Sequence, residues 1–432
     1  MELRDFIEHA RATGYLIEIN RSISPHLEMA RVVHKHDGRP VLFTAVAGYP
    51  GWRVVAGIAS ARHYFAEALG ISVEQLSSIL AEALTRPRPC PIVSHAPCQE
   101  VVEPEVDLGR LPILRHFPFD GGRYITSGIL ILNDPDYGFN VAFHRLMQLD
   151  HRRFATRVVE GRGTDRAWRK AREDVPVAIC IGNALHILLA AAMSAPPGVS
   201  ELEVANALME TPLVACRTVP LYVPAQCEVV LEGRLTHEMA PEGPFVDLTE
   251  TMDFVRPGPV VEVDCITHRR DPIFHALLPG GLEHKHLMGI PKEPTILAAV
   301  NRVCRCTHAV ITPGGTSWLH AVVQIDKQAA DDGRKAIYAA FEGHGSLKHV
   351  VVVDTDIDPF DMQQVEWAIA TRFQADRDLV VLSDQPGSSL DPSATHRVGQ
   401  KTRTAKMGLD ATIPWGADRA AFQKVRYEAD SV

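Results

Sequence analysis

CEVVLEGRL, residues 227–235, is a run of β-branched and other apolar residues, and it sets how the middle of the chain is read. It is one of five such runs, the others being ITSGILIL (125–132), VPVAICIG (175–182), PLVACRTV (212–219) and PVVEVDCITH (259–268). Between them lie turn-rich segments, NDPDYG at 133–138 and APEGP at 240–244, and one strongly helical piece at 185–195. This texture, from about 104 to 272, predicts a β-barrel-like centre with helical insertions.

Outward from that centre the pattern changes. At the N-terminal side Leu3, Phe6, Ile7 and Ala10 have helical spacing and residues 15–19 alternate like a strand. Two further helices are expected at 60–69 and 72–85. They end at RPRPCP (86–91), whose prolines lack amide donors and stop a helix. Beyond Thr295 helix and strand alternate: TILAAVNRV, HAVIT, DDGRKAIYAAFEG, HVVVVD, DMQQVEWAIATRF, DLVVL. That order predicts an α/β layer with a largely parallel sheet. From 383 onward Ser, Pro, Asp and Thr suggest an extended arm ending in a short helix. The expected class is mixed α+β and α/β, with divisions at 1–100, 101–294 and 295–432.

A chain of 432 residues, 46% hydrophobic and 22% charged, can bury more than one core. Its net charge of -9 opposes a nucleic-acid surface, which needs a local excess of Lys and Arg. No apolar run reaches the roughly 18 to 20 residues that span a bilayer, and the first twenty residues lack a basic segment followed by an apolar core. The expectation is therefore a cytoplasmic protein without a membrane partner. Eight cysteines (90, 98, 180, 216, 227, 265, 304, 306) are spread as reduced thiols would be, and the single Cys304-x-Cys306 has no second pair to make a structural zinc site.

Three clusters carry chemistry. Glu242 and Asp247 stand five residues apart in Pro241-Glu-Gly-Pro-Phe-Val-Asp247, across a Gly-Pro turn. Two carboxylates held close to each other or to a guanidinium can divide the roles of proton holder and anion. Asn140-Val-Ala-Phe143-His144-Arg145 forms the second cluster; in a strand Asn140, Ala142 and His144 share one face and Phe143 and Arg145 the other. An inward Arg145 would need a carboxylate partner. The third is Met193-Ser194-Ala-Pro-Pro-Gly-Val-Ser200-Glu201, where Ser200 is placed to cap a helix and small residues let a ligand approach the backbone. Alone, each has an ordinary reading: a solvated acidic loop, an exposed His–Arg pair, an acid favoured in a first helical turn.

In order along the chain, Asn-x4-Arg at 140–145, Gly-Val-Ser-Glu at 198–201, Val-Pro-Ala-x2-Glu-Val-Val-Leu-Glu-Gly at 223–233, Pro-Glu-Gly-Pro-x2-Asp at 241–247 and Lys-Met-Gly-Leu-Asp-Ala-Thr at 406–412 together resemble the UbiD decarboxylase family. The resemblance covers nearly the whole length. It implies an N-terminal α/β portion, a split β-barrel similar to flavin reductases and a C-terminal α/β domain through which the chain forms a homodimer or larger homo-oligomer. It also implies prenylated FMN as cofactor, made by a separate flavin prenyltransferase. The reaction implied is reversible non-oxidative loss of CO₂ from a small-molecule carboxylic acid.

By the same resemblance Arg145, Glu242 and Asp247 form the catalytic network, with Asp247 delivering the proton that replaces CO₂. Asn140, Phe143, His144, Arg145, Met193, Ser194 and Glu201 would contact the cofactor. Family members hold the cofactor phosphate through a divalent metal, usually manganese and in some cases with potassium, on an Asn, a His and a Glu. Asn140 and Glu201 match, but residues 152–163 contain no histidine. Glu160 is the candidate third ligand, His151 could reach in, or Arg162 could neutralise the phosphate directly. The 284–290 segment should border the substrate as a loop. There the apolar Leu287, Met288 and Ile290 favour an aromatic, heteroaromatic or α,β-unsaturated acid, while His284, Lys285 and His286 would instead suit the phosphate of a phosphorylated mevalonate derivative. The competing class is a flavin-binding reductase or scaffold without decarboxylase activity.

Overall fold

Four of the five apolar runs pair into one sheet. Its two long strands, Val229–Glu242 and Arg256–His268, run antiparallel from Val229↔His268 to Glu242↔Arg256. The strand order is Tyr124–Ile125, Leu146–Gln148, Arg153–Thr156, Arg256–His268, Val229–Glu242, Val175–Ile181, Ile129–Asp134, Gly138–Phe143, with Val101–Val102 added beside Arg256–His268. Every pairing is antiparallel. Alternate residues enter two different cores: Ile129, Ile131, Ala178, Cys180 and Val230 meet the helices, whereas Leu130, Leu132, Val177, Ile179 and Leu231 fill the other side. Both faces are therefore buried, which is why these runs read as continuously apolar instead of alternating. The fifth run departs from expectation, since Leu213–Ala215 joins Ile92–Val93 and Tyr222–Pro224 in a separate three-stranded sheet.

The computed structural model describes residues 1–397 and 400–425. The chain divides into two units, Met1–Pro291 and Lys292–Val432. The first hundred residues belong to the first unit because Ile17–Ile19, Val41–Phe43 and Arg53–Ala56 form a sheet completed by Ile273–His275. Glu283 ties these parts together. It is buried and accepts hydrogen bonds from the Gly57 and Ala59 amides (2.7 and 3.1 Å) while contacting His275 Nε2 at 3.0 Å. The expected helices are present as Leu3–Ala12, Arg62–Leu69, Leu76–Thr85 and Leu185–Ala192. Glu28–Lys35 was not read from the sequence, and nor was Gly163–Lys170, whose arginines and lysine mask a buried stripe of Thr164, Asp165 and Ala167.

In the second unit the sheet order is Cys306–Ile311, His320–Ile325, His349–Asp354, Arg403–Asp410, Leu379–Pro386. The two central pairings are parallel and both edge pairings antiparallel, so the sheet is mixed where a largely parallel one was expected. The stretch beyond 383 is likewise not an arm, because Arg403–Asp410 is an interior strand of this sheet. Its polar composition misled the reading. Lys406 is buried, its ammonium donating to the Gly345 carbonyl at 2.7 Å and lying 5.1 Å from the centre of the Phe341 ring. Burial lowers its pKa to about 8. The short terminal helix is the turn Arg419–Phe422. Among the described residues no helix is long and apolar enough to cross a membrane.

Candidate active site

Three carboxylates within twelve residues converge on one guanidinium. Strand Val229–Glu242 ends at Glu242, the chain turns at Gly243 and Pro244, and Phe245–Val246 pairs with Met252–Asp253 before Arg256–His268 begins. Gly243 has φ +101°, and a Cβ there would stand 2.8 Å from the Phe254 carbonyl oxygen, so the turn requires glycine. Arg145 Nε and Nη2 donate to Glu242 Oε1 and Oε2 at 2.9 and 2.8 Å, a bidentate pair. Nη1 donates to Asp247 Oδ2 at 2.7 Å, and Nη2 also to Asp253 Oδ2 at 2.7 Å. The guanidinium carbon lies 4.6 Å from the centre of the Phe245 ring. Side-chain exposure is 0% for Glu242, 9% for Arg145, 12% for Asp253 and 18% for Asp247. Arg145 is thus the inward arginine of the two readings, and its charge is matched.

Burial opposes the charge on Arg145, but the bond and charge of Glu242, with Asp247 and Asp253, outweigh it and raise the pKa above the ordinary arginine value. The Tyr124 hydroxyl donates to Glu242 Oε1 at 3.2 Å; burial first, then the Glu242 charge, holds that phenol protonated. Tyr124, Asp253 and Arg256, which ion-pairs with Asp253, were not singled out from sequence. Asp253 could have been suspected only by counting acids after the Gly-Pro turn.

The 284–290 segment is not a loop. His284 and its neighbours lie in the helix Leu282–Gly289. His284 Nδ1 accepts from the Gly280 amide at 3.2 Å, and burial lowers its pKa while the nearby Asp247 carboxylate opposes the shift. Burial brings His286 down to about 4. Both rings are therefore neutral near pH 7, and Lys285 is paired with Glu250 at 3.1 Å. Leu287 is a core residue, whereas Met288 is partly buried.

At a second corner, Asn140, His144 and Thr164 meet. Asn140 Nδ2 donates to Thr164 Oγ1 at 3.2 Å, and His144 Nε2 is 2.9 Å from the same oxygen. His144 Nδ1 lies 3.0 Å from the Arg157 carbonyl, which can only accept, so the proton is assigned to Nδ1 and Nε2 presents a lone pair. Burial lowers the His144 pKa, which keeps that ring neutral. Glu201 opens the helix Glu201–Leu208, capped by Ser200, and its Oε2 accepts from the Val141 amide at 2.9 Å. Gly163 leaves room for the Asn140 carboxamide: a Cβ there would fall 1.8 Å from Asn140 Oδ1, so a larger residue would require Asn140 to shift. Met193 is buried and Phe143 partly buried in the core that also holds Val141; Ser194 is exposed.

The oxygens of Asn140, Glu201 and Thr164 with the lone pair of His144 are a donor set that fits a divalent cation beside a phosphate. Among the described residues no group of three or more His, Cys, Asp or Glu side chains is placed to hold a metal ion. Glu160, the candidate third ligand, is 68% exposed and paired with Arg157 at 3.2 Å. His151 and Arg162 are exposed. Thr164, on the unforeseen helix, is the side chain that Asn140 and His144 contact.

Three domain descriptions of 3-octaprenyl-4-hydroxybenzoate carboxy-lyase match this chain: the N-terminal domain over residues 7–84, the Rift-related domain over 92–282 and the C-terminal domain over 285–411. The chain belongs to the UbiD family. Anhydromevalonate phosphate decarboxylase of Methanosarcina mazei is 42% identical to it over 416 residues, 95% of this chain and 96% of the relative. Among solved structures, the UbiD-class enzyme HmfF of Pelotomaculum thermopropionicum, in complex with FMN, superposes with a TM-score of 0.95 at 37% identity, covering 100% and 99% of the two chains. An evolved dimeric form of HmfF in complex with prFMN gives 0.91 at 35% identity, covering 100% and 98%. The mixed α+β fold and carboxy-lyase activity follow for this UbiD-family chain.

Proposed function

We propose that this UbiD-family chain removes CO₂ from a phosphorylated, mevalonate-derived α,β-unsaturated acid with prenylated FMN as cofactor. The observation that carries the substrate is the near full-length identity of 42% to the anhydromevalonate phosphate decarboxylase, and the prFMN complex of the related HmfF supports the cofactor. The nine-stranded sheet is read as the split barrel that carries the flavin. Asn140, Glu201, Thr164 and His144 hold manganese, or another hard divalent cation with potassium, against the flavin phosphate. Phe143, Met193 and Ser194 face the cofactor.

When bound, the prenylated flavin supplies the electron sink that loss of CO₂ from an sp² carbon requires. The chain supplies the rest. Arg145 receives the substrate carboxylate, and Glu242, fully buried and bidentate, fixes the guanidinium plane. Asp247, the most exposed of the three acids, delivers a proton to the carbon that CO₂ leaves. The homo-oligomer and the external flavin prenyltransferase belong to the same reading.

A second reading, an aromatic acid, is favoured by one observation: His284 and His286 are neutral and Lys285 is paired, so that helix offers no spare cation to a phosphate. The test is to co-produce the protein with a flavin prenyltransferase and measure CO₂ release from anhydromevalonate phosphate and from aromatic acids such as indole-3-carboxylate. Turnover of the former alone supports the proposal, turnover of the latter alone overturns its substrate, and hydride transfer without CO₂ release would make the chain a reductase. Light scattering that returned a monomer mass would remove the homo-oligomer.

A further inference from the structure

Four of the five Arg145 N–H groups are committed: Nε and Nη2 hold Glu242, the second Nη2 N–H holds Asp253 and one of the two on Nη1 holds Asp247. An incoming carboxylate that takes both an Nη1 N–H and a second donor must displace one of the three. Glu242 is fully buried, bound twice by Arg145 and once by Tyr124. Asp253 is ion-paired to a second cation, Arg256, and its Oδ1 accepts from the Phe254 amide at 2.9 Å. Asp247 has one cation, Arg145, and otherwise accepts from the amide of the next residue, Leu248. It is also the most exposed of the three.

The segment's register explains why Asp253 stays in place. Phe245↔Asp253 is a cross-strand pair, so Asp253 lies opposite the ring over which the guanidinium sits. Arg256, which anchors Asp253, is the cross-strand partner of Glu242 itself. Glu242, Phe245, Asp253 and Arg256 thus form one hydrogen-bonded frame around Arg145, while Asp247 lies on the connection between the short strands.

We propose that Asp253, anchored by Arg256, is a positioning residue that holds Arg145 in place while the substrate carboxylate displaces Asp247 from Nη1. This rests on the decarboxylase reading only in taking a carboxylate as the ligand of Arg145. The displaced Asp247 carboxylate can then take a proton from solvent and deliver it to the carbon that CO₂ leaves.

Positioning and simple charge repulsion predict opposite results. Removing a nearby negative charge should tighten binding of an anion; removing the anchor of its receptor should weaken it. The experiment is calorimetric binding of anhydromevalonate phosphate and, separately, of indole-3-carboxylate to the FMN-reconstituted full chain, for wild type, Asp253→Asn, Arg256→Gln and Asp247→Asn, with folding checked by circular dichroism and flavin content. Expected are about tenfold or greater weakening for Asp253→Asn, a smaller weakening in the same direction for Arg256→Gln, and unchanged or tighter binding for Asp247→Asn. Tighter or unaltered binding by folded Asp253→Asn overturns the proposal, as does wild type that binds neither acid. If Asp253→Asn does not fold, the sign of the Arg256→Gln change decides. Binding of indole-3-carboxylate alone, with the expected pattern, would sink the phosphorylated substrate and leave the role of Asp253 standing.

Discussion

The two corners of the site are built on different principles. At Arg145 four of the five N–H donors are held by carboxylates, and the partners come from one short segment, 242–253. At Asn140 the groups are neutral amide, hydroxyl and imidazole, with one carboxylate, Glu201, and they come from three places in the chain: the strand Gly138–Phe143 and its C-terminal end, the helix Gly163–Lys170 and the helix Glu201–Leu208. The first corner is closed by its own charges; the second presents lone pairs that a cation could use. A catalytic guanidinium can therefore be held rigidly before substrate arrives, whereas the cofactor corner depends on what binds there.

The largest expected effect comes from breaking the closed corner. Arg145→Ala should abolish measurable CO₂ release and destabilise the chain by about 3 to 5 kcal/mol, because it strands buried Glu242 without its cation. Turnover assays with urea denaturation check both, and a fully stable Arg145→Ala would mean that the network adds nothing to folding. Asp247→Asn separates the two properties. It should lower turnover about 10² to 10⁴ fold while costing less stability than Arg145→Ala, since Asp247 is the least buried of the three acids and Arg145 keeps Glu242 and Asp253; near wild-type kcat would transfer the proton to Glu242.

The open corner should respond in metal and flavin content. Thr164→Val should weaken divalent-metal binding about 10 to 100 fold, read as metal and flavin retained after extended chelator treatment, whereas wild type should lose flavin only mildly. Glu160→Gln should match wild type, because Glu160 is engaged with Arg157 at the surface. Loss of metal in Glu160→Gln with none in Thr164→Val would reverse that assignment.

The last effect concerns pH. Burial lowers His116 and His186 to about 3 and His286 to about 4. Their unfolded pKa is about 6.5, so the unfolded chain binds more protons. Stability is whole above about pH 6.5 and falls as pH drops toward 4, by up to about 1.4 kcal/mol per pH unit per histidine. Urea midpoints measured from pH 7 to 4.5 should show this slope, and His186→Gln should flatten it by one proton's worth. An unaltered slope in that variant would show that His186 does not titrate with unfolding.

The contrast between corners also explains what the sequence disclosed. Glu242 and Asp247 were singled out because a Gly-Pro turn places acids at short, fixed spacing, and the family resemblance joined Arg145 to them. Asp253 was not, since its position depends on the hairpin register that sets it opposite Phe245. Thr164 escaped notice because its helix is dominated by charged residues and the search was for a histidine or an acid. The sheets were read from their buried faces, and the errors fell where polarity misleads: Arg403–Asp410 carries its lysine inward on a carbonyl and an aromatic ring.

Gly163 bears on any attempt to graft back the histidine that 152–163 lacks. A side chain at that position would need the space now held by the Asn140 carboxamide. Asn140 would have to swing away, giving up its bond to Thr164. An engineer would have to adjust Gly163, Thr164 and the Asn140 rotamer together.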